Sequence, residues 1–285
     1  MIHVLVTGGN GQLASCIKDA EKKHEGLNII YTDYEQLDIC NLNQVRAFFK
    51  DNKGLKYCIN CAAYTAVDAA EADDKKALEI NAVGAKNLAL VCKEEGVVLI
   101  HISTDFVFSG ENIIPYIETD ETLPISAYGS TKLQGELEVQ QILKEHFIIR
   151  TSWLYSQYGG NFVKTMLRLA ETKSRIGVVS DQFGSPTNAN DLAKVIMQII
   201  DTGIHNYGVY HYSNEGEVSW YDFAKTIFKH KNIDINVSPI STKEFPTPAA
   251  RPKYSVLNKS KIKNILSIEI PNWEDSLKEC LISLN

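Results

Sequence analysis

Five short apolar runs, IHVLVT (2–7), LNIIYTD (27–33), KYCINCAA (56–63), VVLIHIS (97–103) and FIIRTS (147–152), alternate with segments whose apolar residues recur at helical spacing. The intervening segments include LASCIKDAEKK, LNQVRAFFKDN and KALEINAVGAKNLALVCKEE. A strand that is apolar throughout must be covered on both faces, and strands separated by helices pair in parallel. The pattern therefore predicts an α/β fold, a doubly wound parallel sheet of the Rossmann type over residues 1–150. Beyond Arg150 the pattern loosens. FVKTMLRLAE, NDLAKVIMQIID and SWYDFAKTIFKH read as helices, joined by the Pro-, Ser- and Thr-rich stretches VSDQFGSPTN and ISTKEFPTPAARPKYSVLN. Residues 151–285 are expected to form mainly a smaller substrate-binding α/β region, with some segments returning to the first domain.

The first strand runs into VLVTGGNGQLASCI, where Gly8, Gly11 and Ala14 stand at the spacing GxxGxxA. Glycines there let the backbone turn tightly and approach a pyrophosphate, whose charge meets the free N–H groups opening the next helix. The second strand ends in Asp33, placed to accept hydrogen bonds from the adenosine ribose hydroxyls. No Arg or Lys follows it closely, so the reading favours NADH slightly over NADPH. Asp38 and Ile39 are read as a polar and an apolar border of the adenine.

Several classes of function are excluded by composition. A formal net charge of -6 offers no broad positive field for nucleic acid. No apolar run reaches the ~20 residues that a membrane helix requires. The chain passes from its first strand directly into the glycine turn, which leaves no room for a signal peptide and gives a cytoplasmic reading. Six cysteines lie mostly among apolar, strand-like neighbours; the one CxxC pair, Cys58 with Cys61, lacks a second pair at metal-ligand spacing and is read as structural.

The stretch YGSTK places Tyr128 and Lys132 one turn apart if AYGSTKLQGELEVQQIL is a helix, as Leu133, Leu137 and Ile142 suggest. An ammonium beside a phenol would lower the phenol's pKa and poise it for proton transfer. Upstream, the fourth strand ends in Ser103, Thr104 and Asp105, so Thr104 would face the same crevice as the cofactor. Together, the glycine turn, STDFVF and YGSTK resemble the extended short-chain dehydrogenases/reductases. More narrowly, GNGQLA, NCAAYTAVDAAE, STDFVFSG, YGSTKLQGE, RTSWLYSQYGGNFVKTM, DQFGSPTNANDLA and ARPKYSVLN resemble the dTDP-4-dehydrorhamnose reductase family.

That resemblance implies NAD(P)H-dependent reduction of the C4 keto group of a dTDP-linked deoxysugar. It implies Gly11, Gln12 and Leu13 at the pyrophosphate and Ala62, Ala63 and Tyr64 along the cofactor. Tyr128 would be the proton donor, with Lys132 and Thr104 as its partners; Thr104 and Asp105 would approach the sugar, and Trp153 would pack on its ring. Asn161 and Arg251 are candidates to meet the dTDP portion. Some family members carry a glutamate after the glycine turn that supports a magnesium-linked dimer; here Ser15 stands instead, so no metal is expected, and the chain is read as monomer or homodimer. Phe106 follows Asp105 where a 4,6-dehydratase would place a second carboxylate, which argues against dehydration. A reductase or epimerase of another nucleotide deoxysugar and a non-catalytic dinucleotide-binding regulatory subunit are the remaining alternatives.

Overall fold

Val4, Leu5 and Val6 are fully buried in the first strand, so side chains from both faces of the sheet must be covered by helices. The computed structural model, which describes residues 1–284, meets that demand with six parallel strands. Five belong to residues 1–151: β1 (Ile2–Thr7), β2 (Leu27–Thr32), β3 (Leu55–Asn60), β4 (Val98–Thr104) and β5 (His146–Thr151). The sixth, Gly208–His211, pairs with β5, and the order across the sheet is Gly208–His211, β5, β4, β3, β1, β2. Chain direction across the sheet reverses between β1 and β3, which opens a crevice beyond the carboxyl ends of the strands, where open α/β sheets bind ligands.

One face of the sheet is covered by helix α1 (Gln12–Glu21) and the helices Ala189–Thr202 and Ser260–Leu266; Ile17, Ile196 and Ile262 lie in that core. The other is covered by Leu42–Asp51, Ala85–Glu95 and Ala127–Ile142, around Phe49, Leu88 and Val139. The helices Ala189–Thr202 and Ser260–Leu266 and the strand Gly208–His211, all from beyond residue 151, pack on or pair with this sheet. A second body gathers the helices Phe162–Ala170, Trp220–His230 and Trp273–Ile282 around Phe223, beside the parallel strand pair Arg175–Val179 and Asn236–Ile240.

Two helices differ from their sequence reading. The segment 76–95 is not one α-helix: Asp74–Leu78 passes through a π-helical turn, Glu79–Gly84, before Ala85–Glu95. The helix Ala127–Ile142 forms, but its apolar spacing marks the buried face only in part: Leu133 and Ile142 are half-buried against neighbouring clusters. Leu137 is 56% exposed, whereas Gly129, Thr131, Lys132, Gly135, Glu136 and Val139 face the protein. Close backbone packing is the reason. A Cβ at Gly135 would collide with the Asn81 carbonyl oxygen in the π turn, and one at Gly129 with the carbonyl oxygen of Phe106.

Burying Glu136 on that face requires a partner, and Arg150 of β5 supplies it. Arg150 donates Nη2 to Glu136 Oε2 at 2.7 Å and Nε to Oε1 at 3.0 Å, both residues being buried. Ser103 of β4 donates to the same carboxylate at 2.5 Å, and Arg150 Nη1 lies 3.4 Å from His211 Nε2. Burial and the Arg150 charge push the His211 pKa down to about 3, so its ring is neutral and accepts from the guanidinium. We predict that Glu136→Gln, which strands the Arg150 charge, costs about 3–5 kcal/mol in urea unfolding, and that Glu136→Met with Arg150→Met recovers most of that loss.

Candidate active site

The helix α1 opens on Gly11, which has no side chain to cap it, and no acidic residue stands in the first turn. By contrast, Asn41, Ser126, Asn161, Asn188, Ser219 and Asn272 each cap the helix they precede with a side-chain oxygen. The first N–H groups of α1 are left for a ligand, and their positive end suits an anion. Gly8 has a φ of +65°, and a Cβ there would stand 2.7 Å from the Ala62 nitrogen. This turn is therefore pressed against the turn after β3, and the two form one floor. Those features fit a dinucleotide pyrophosphate.

Leu13 is buried, so it can offer the ligand only its backbone N–H. The Gln12 side chain turns toward the second body instead: its Nε2 donates to the Leu154 carbonyl at 3.2 Å, and Asn161 Nδ2 donates to its Oε1 at 2.8 Å. Asn161 also accepts from the Lys164 N–H as a helix cap, so its amide is engaged in holding the bodies together. Asp33 accepts from the Asn10 and Tyr34 N–H groups at 2.9 and 2.8 Å, which fixes the carboxylate at the end of β2 beside the glycine turn. Asp38 accepts from the Cys40 N–H, and Ile39 packs against Gly84, where a Cβ would come within 2.6 Å of its Cδ1.

Below this floor a buried ladder crosses three strands. Thr7 donates to Asn60 Oδ1 at 2.8 Å, the Ala62 N–H donates to the same oxygen at 3.2 Å, and Asn60 Nδ2 lies 3.0 Å from His101 Nδ1. Ala62, Ala63 and Tyr64 follow β3 over the crevice. Tyr64 is clamped by Asn81, which accepts from its N–H at 2.8 Å and donates both to its carbonyl and to Thr131 Oγ1. Asn81 sits in the π turn, a local irregularity often found at functional sites. Cys58 and Cys61 are free thiols, and burial pushes Cys61 up to about 12.

Thr104, Asp105 and Tyr128 come together at the carboxyl end of β4. The Tyr128 hydroxyl faces Thr104, and its ring meets Phe106 edge-on at 5.6 Å. Thr104 Oγ1 donates to Asp105 Oδ1 at 3.1 Å and accepts from the Phe106 N–H at 3.2 Å. Lys132 is buried on the same helix face as Tyr128, but its ammonium donates to the Ile102 carbonyl at 2.7 Å. The expected lowering of the phenol pKa is not realised in this state. Burial pushes Tyr128 up to about 12 and Lys132 down to about 8, and the ammonium, which points at the strand, does not offset the rise at the phenol.

Trp153 and Arg251 belong to the other wall. Trp153 has a φ of 48° and stacks on Trp220 with centroids 3.4 Å apart, its indole lying on Gly184. Arg251 forms a two-point pair with Asp68, Nη1 to Oδ1 at 3.0 Å and Nη2 to Oδ2 at 2.8 Å, and also donates to Thr247 and to the Ala249 carbonyl. Among the described residues neither is hydrogen-bonded to Thr104, Asp105 or Tyr128.

With this geometry in place, residues 2–285 match the family of the RmlD substrate binding domain. The chain belongs to that family. A dTDP-4-dehydrorhamnose reductase of Sinorhizobium fredii is 39% identical, covering 99% of this chain and 98% of that protein. A crystal structure of a dTDP-4-dehydrorhamnose reductase ortholog from Clostridium acetobutylicum is 45% identical, with a TM-score of 0.94 over 99% of both chains. The Bacillus anthracis dTDP-4-dehydrorhamnose reductase, solved in complex with NADP, is 42% identical with a TM-score of 0.94 over 99% of this chain and 100% of that one.

Within the RmlD-family fold, Asn60, Asn81, Asp68 and Trp220 are the site neighbours that the sequence reading missed. Asn60 and Asn81 are polar residues inside otherwise apolar segments, a signal that could have marked them as buried and hydrogen-bonded. Asn161→Ala removes both a helix cap and the tie to Gln12; a loss of about 1–2 kcal/mol in chemical denaturation is expected.

Proposed function

We propose that this protein reduces the C4 keto group of dTDP-4-dehydro-β-L-rhamnose to give dTDP-β-L-rhamnose, a step in nucleotide-sugar and cell-surface polysaccharide biosynthesis. The observation that carries the reading is the meeting of Tyr128 and Thr104 at the end of β4, in one crevice with an uncapped, glycine-lined helix start. When bound, a reduced nicotinamide dinucleotide would supply the hydride. Its pyrophosphate would lie on the N–H groups opening α1, and its adenosine ribose beside Asp33. The NADP in the Bacillus anthracis relative argues that a 2′-phosphate is tolerated in this family, so NADH and NADPH are both candidates here.

Tyr128 would protonate the forming C4 alkoxide. A phenol raised to about 12 remains far more acidic than an alcohol, so the transfer is downhill. Lys132, buried next to it, supplies positive charge to the same region once its ammonium is shared between Ile102 and a ligand hydroxyl. Trp153, braced by Trp220, offers a flat apolar face to the deoxysugar, and Arg251, held by Asp68, a guanidinium to the diphosphate. Those contacts would use the nucleotide half of the substrate to hold the sugar in place. The six free thiols suit a reducing compartment such as the cytoplasm.

The test is a coupled assay in which dTDP-4-dehydrorhamnose is made in situ and the absorbance of NADH or NADPH is followed. Reduced dinucleotide should be consumed only when the 3,5-epimerised sugar is present. Tyr128→Phe should lower kcat by about 10²-fold or more and leave dinucleotide affinity within about twofold. Binding without consumption of either dinucleotide would move the regulatory reading ahead.

A further inference from the structure

Thr104 has one hydroxyl hydrogen and two lone pairs, and two neighbours engage the hydrogen and one lone pair. The Phe106 N–H occupies one lone pair, and Asp105 Oδ1 takes the hydrogen. In this arrangement Thr104 cannot donate to a substrate oxygen. An ionised Asp105 therefore aims the Thr104 hydrogen away from the reacting carbonyl.

We propose that Asp105 is a positioning residue whose protonated form donates to Thr104, turning the Thr104 hydrogen toward the C4 oxygen of the substrate. The inference rests on the reductase reading given above. No proton passes from Asp105 to the sugar; the proton delivered is that of Tyr128, and Asp105 sets only the direction of the Thr104 hydrogen.

The surroundings of Asp105 make its neutral form accessible. It is buried, its Oδ2 has no hydrogen-bond partner, and among the described residues no ion pair reaches it. A bare carboxylate oxygen in such a place is costly, and burial pushes the Asp105 pKa up to about 6. Ser255, arriving from the segment before Leu257, favours the charged form, as does the Thr104 hydroxyl, but neither offsets burial. From the helix Ala127–Ile142 the titratable groups nearby are Tyr128, whose own pKa the Asp105 charge raises, and Lys132, whose ammonium is spent on Ile102.

Two measurements test this. In the first, kcat is followed from about pH 5 to 8 in the reductase assay, where wild type should lose turnover as pH rises through the Asp105 titration. An Asn at this position would donate to Thr104 at every pH, so Asp105→Asn should lose that limb and keep kcat within about tenfold of wild type. Ser255→Ala, which removes a group favouring the charge, should move the limb to higher pH by about half a unit. A limb that persists unshifted in Asp105→Asn would overturn the proposal. So would an Asp105→Asn protein that binds dinucleotide normally but loses about 100-fold or more of kcat at every pH. If Asp105→Asn does not fold, an unshifted limb in Ser255→Ala is the contrary result.

The second needs no substrate. Carboxyl resonances of protein labelled with 13C-aspartate should include one that titrates near pH 6, and it should move upward in Ser255→Ala and vanish in Asp105→Asn. Titration of every aspartate below about 5 contradicts the proposal independently of the sugar assignment. Failure of wild type to turn over the sugar, with that resonance present, would instead count against the reductase reading alone.

Discussion

A carboxylate and a guanidinium buried together hold the helix bearing Tyr128 in place. Glu136 lies one turn beyond Lys132 on the helix Ala127–Ile142, and its pairing with Arg150 of β5 and Ser103 of β4 locks that helix to the two strands beside it. Ser103 immediately precedes Thr104. The contact that satisfies a buried charge thereby sets the distance between the Tyr128 phenol and the Thr104 hydroxyl. Such a pair adds little net stability over apolar packing but fails badly when half of it is removed, which makes the geometry hard to relax. Gly129 and Gly135 complete the arrangement by letting the helix backbone lie directly on Phe106 and Asn81.

Pressed turns and shared hydrogen bonds assemble the cofactor side by the same logic. Gly8 meets Ala62, Asn60 links β1 to β4 through Thr7 and His101, and Asn81 ties the loop at Tyr64 to the helix bearing Tyr128. Gln12 and Asn161 extend the floor into the second body. What remains open at its centre is the uncapped start of α1. Asp33, Gln12, Asn60 and Asn81 are turned to structural use, whereas the first N–H groups of α1 have no side-chain cap, and this contrast marks the place where an anion belongs.

Much of this was legible in the sequence, for identifiable reasons. Buried parallel strands must be continuously apolar, so β1, β4 and β5 declared themselves, and the glycine turn needed only its position after β1 to be read. The faces of helices were less legible. In Ala127–Ile142 the buried side is built from Gly, Thr, Lys and Glu, because the helix packs on backbone and buries charges in pairs; a search for apolar periodicity selects the exposed Leu137 instead. Likewise the Asp68–Arg251 pair joins residues 183 positions apart, and the stacking of Trp153 on Trp220 depends on a left-handed backbone at Trp153. Neither leaves a local pattern. The low phenol pKa expected from the Tyr and Lys spacing failed because spacing gives proximity, whereas the direction of the ammonium is set by the carbonyl of Ile102.

The central claim is that Tyr128 and Thr104 stand where a hydride reaches a sugar carbonyl and stays there. The most direct measurement uses dinucleotide deuterated at the transferable position of the nicotinamide C4, with dTDP-4-dehydrorhamnose as acceptor and mass and NMR analysis of the sugar product. The account predicts one deuterium at sugar C4 for each dinucleotide oxidised. A product that carries no deuterium, or a sugar inverted at C4 with the dinucleotide unchanged, would contradict it.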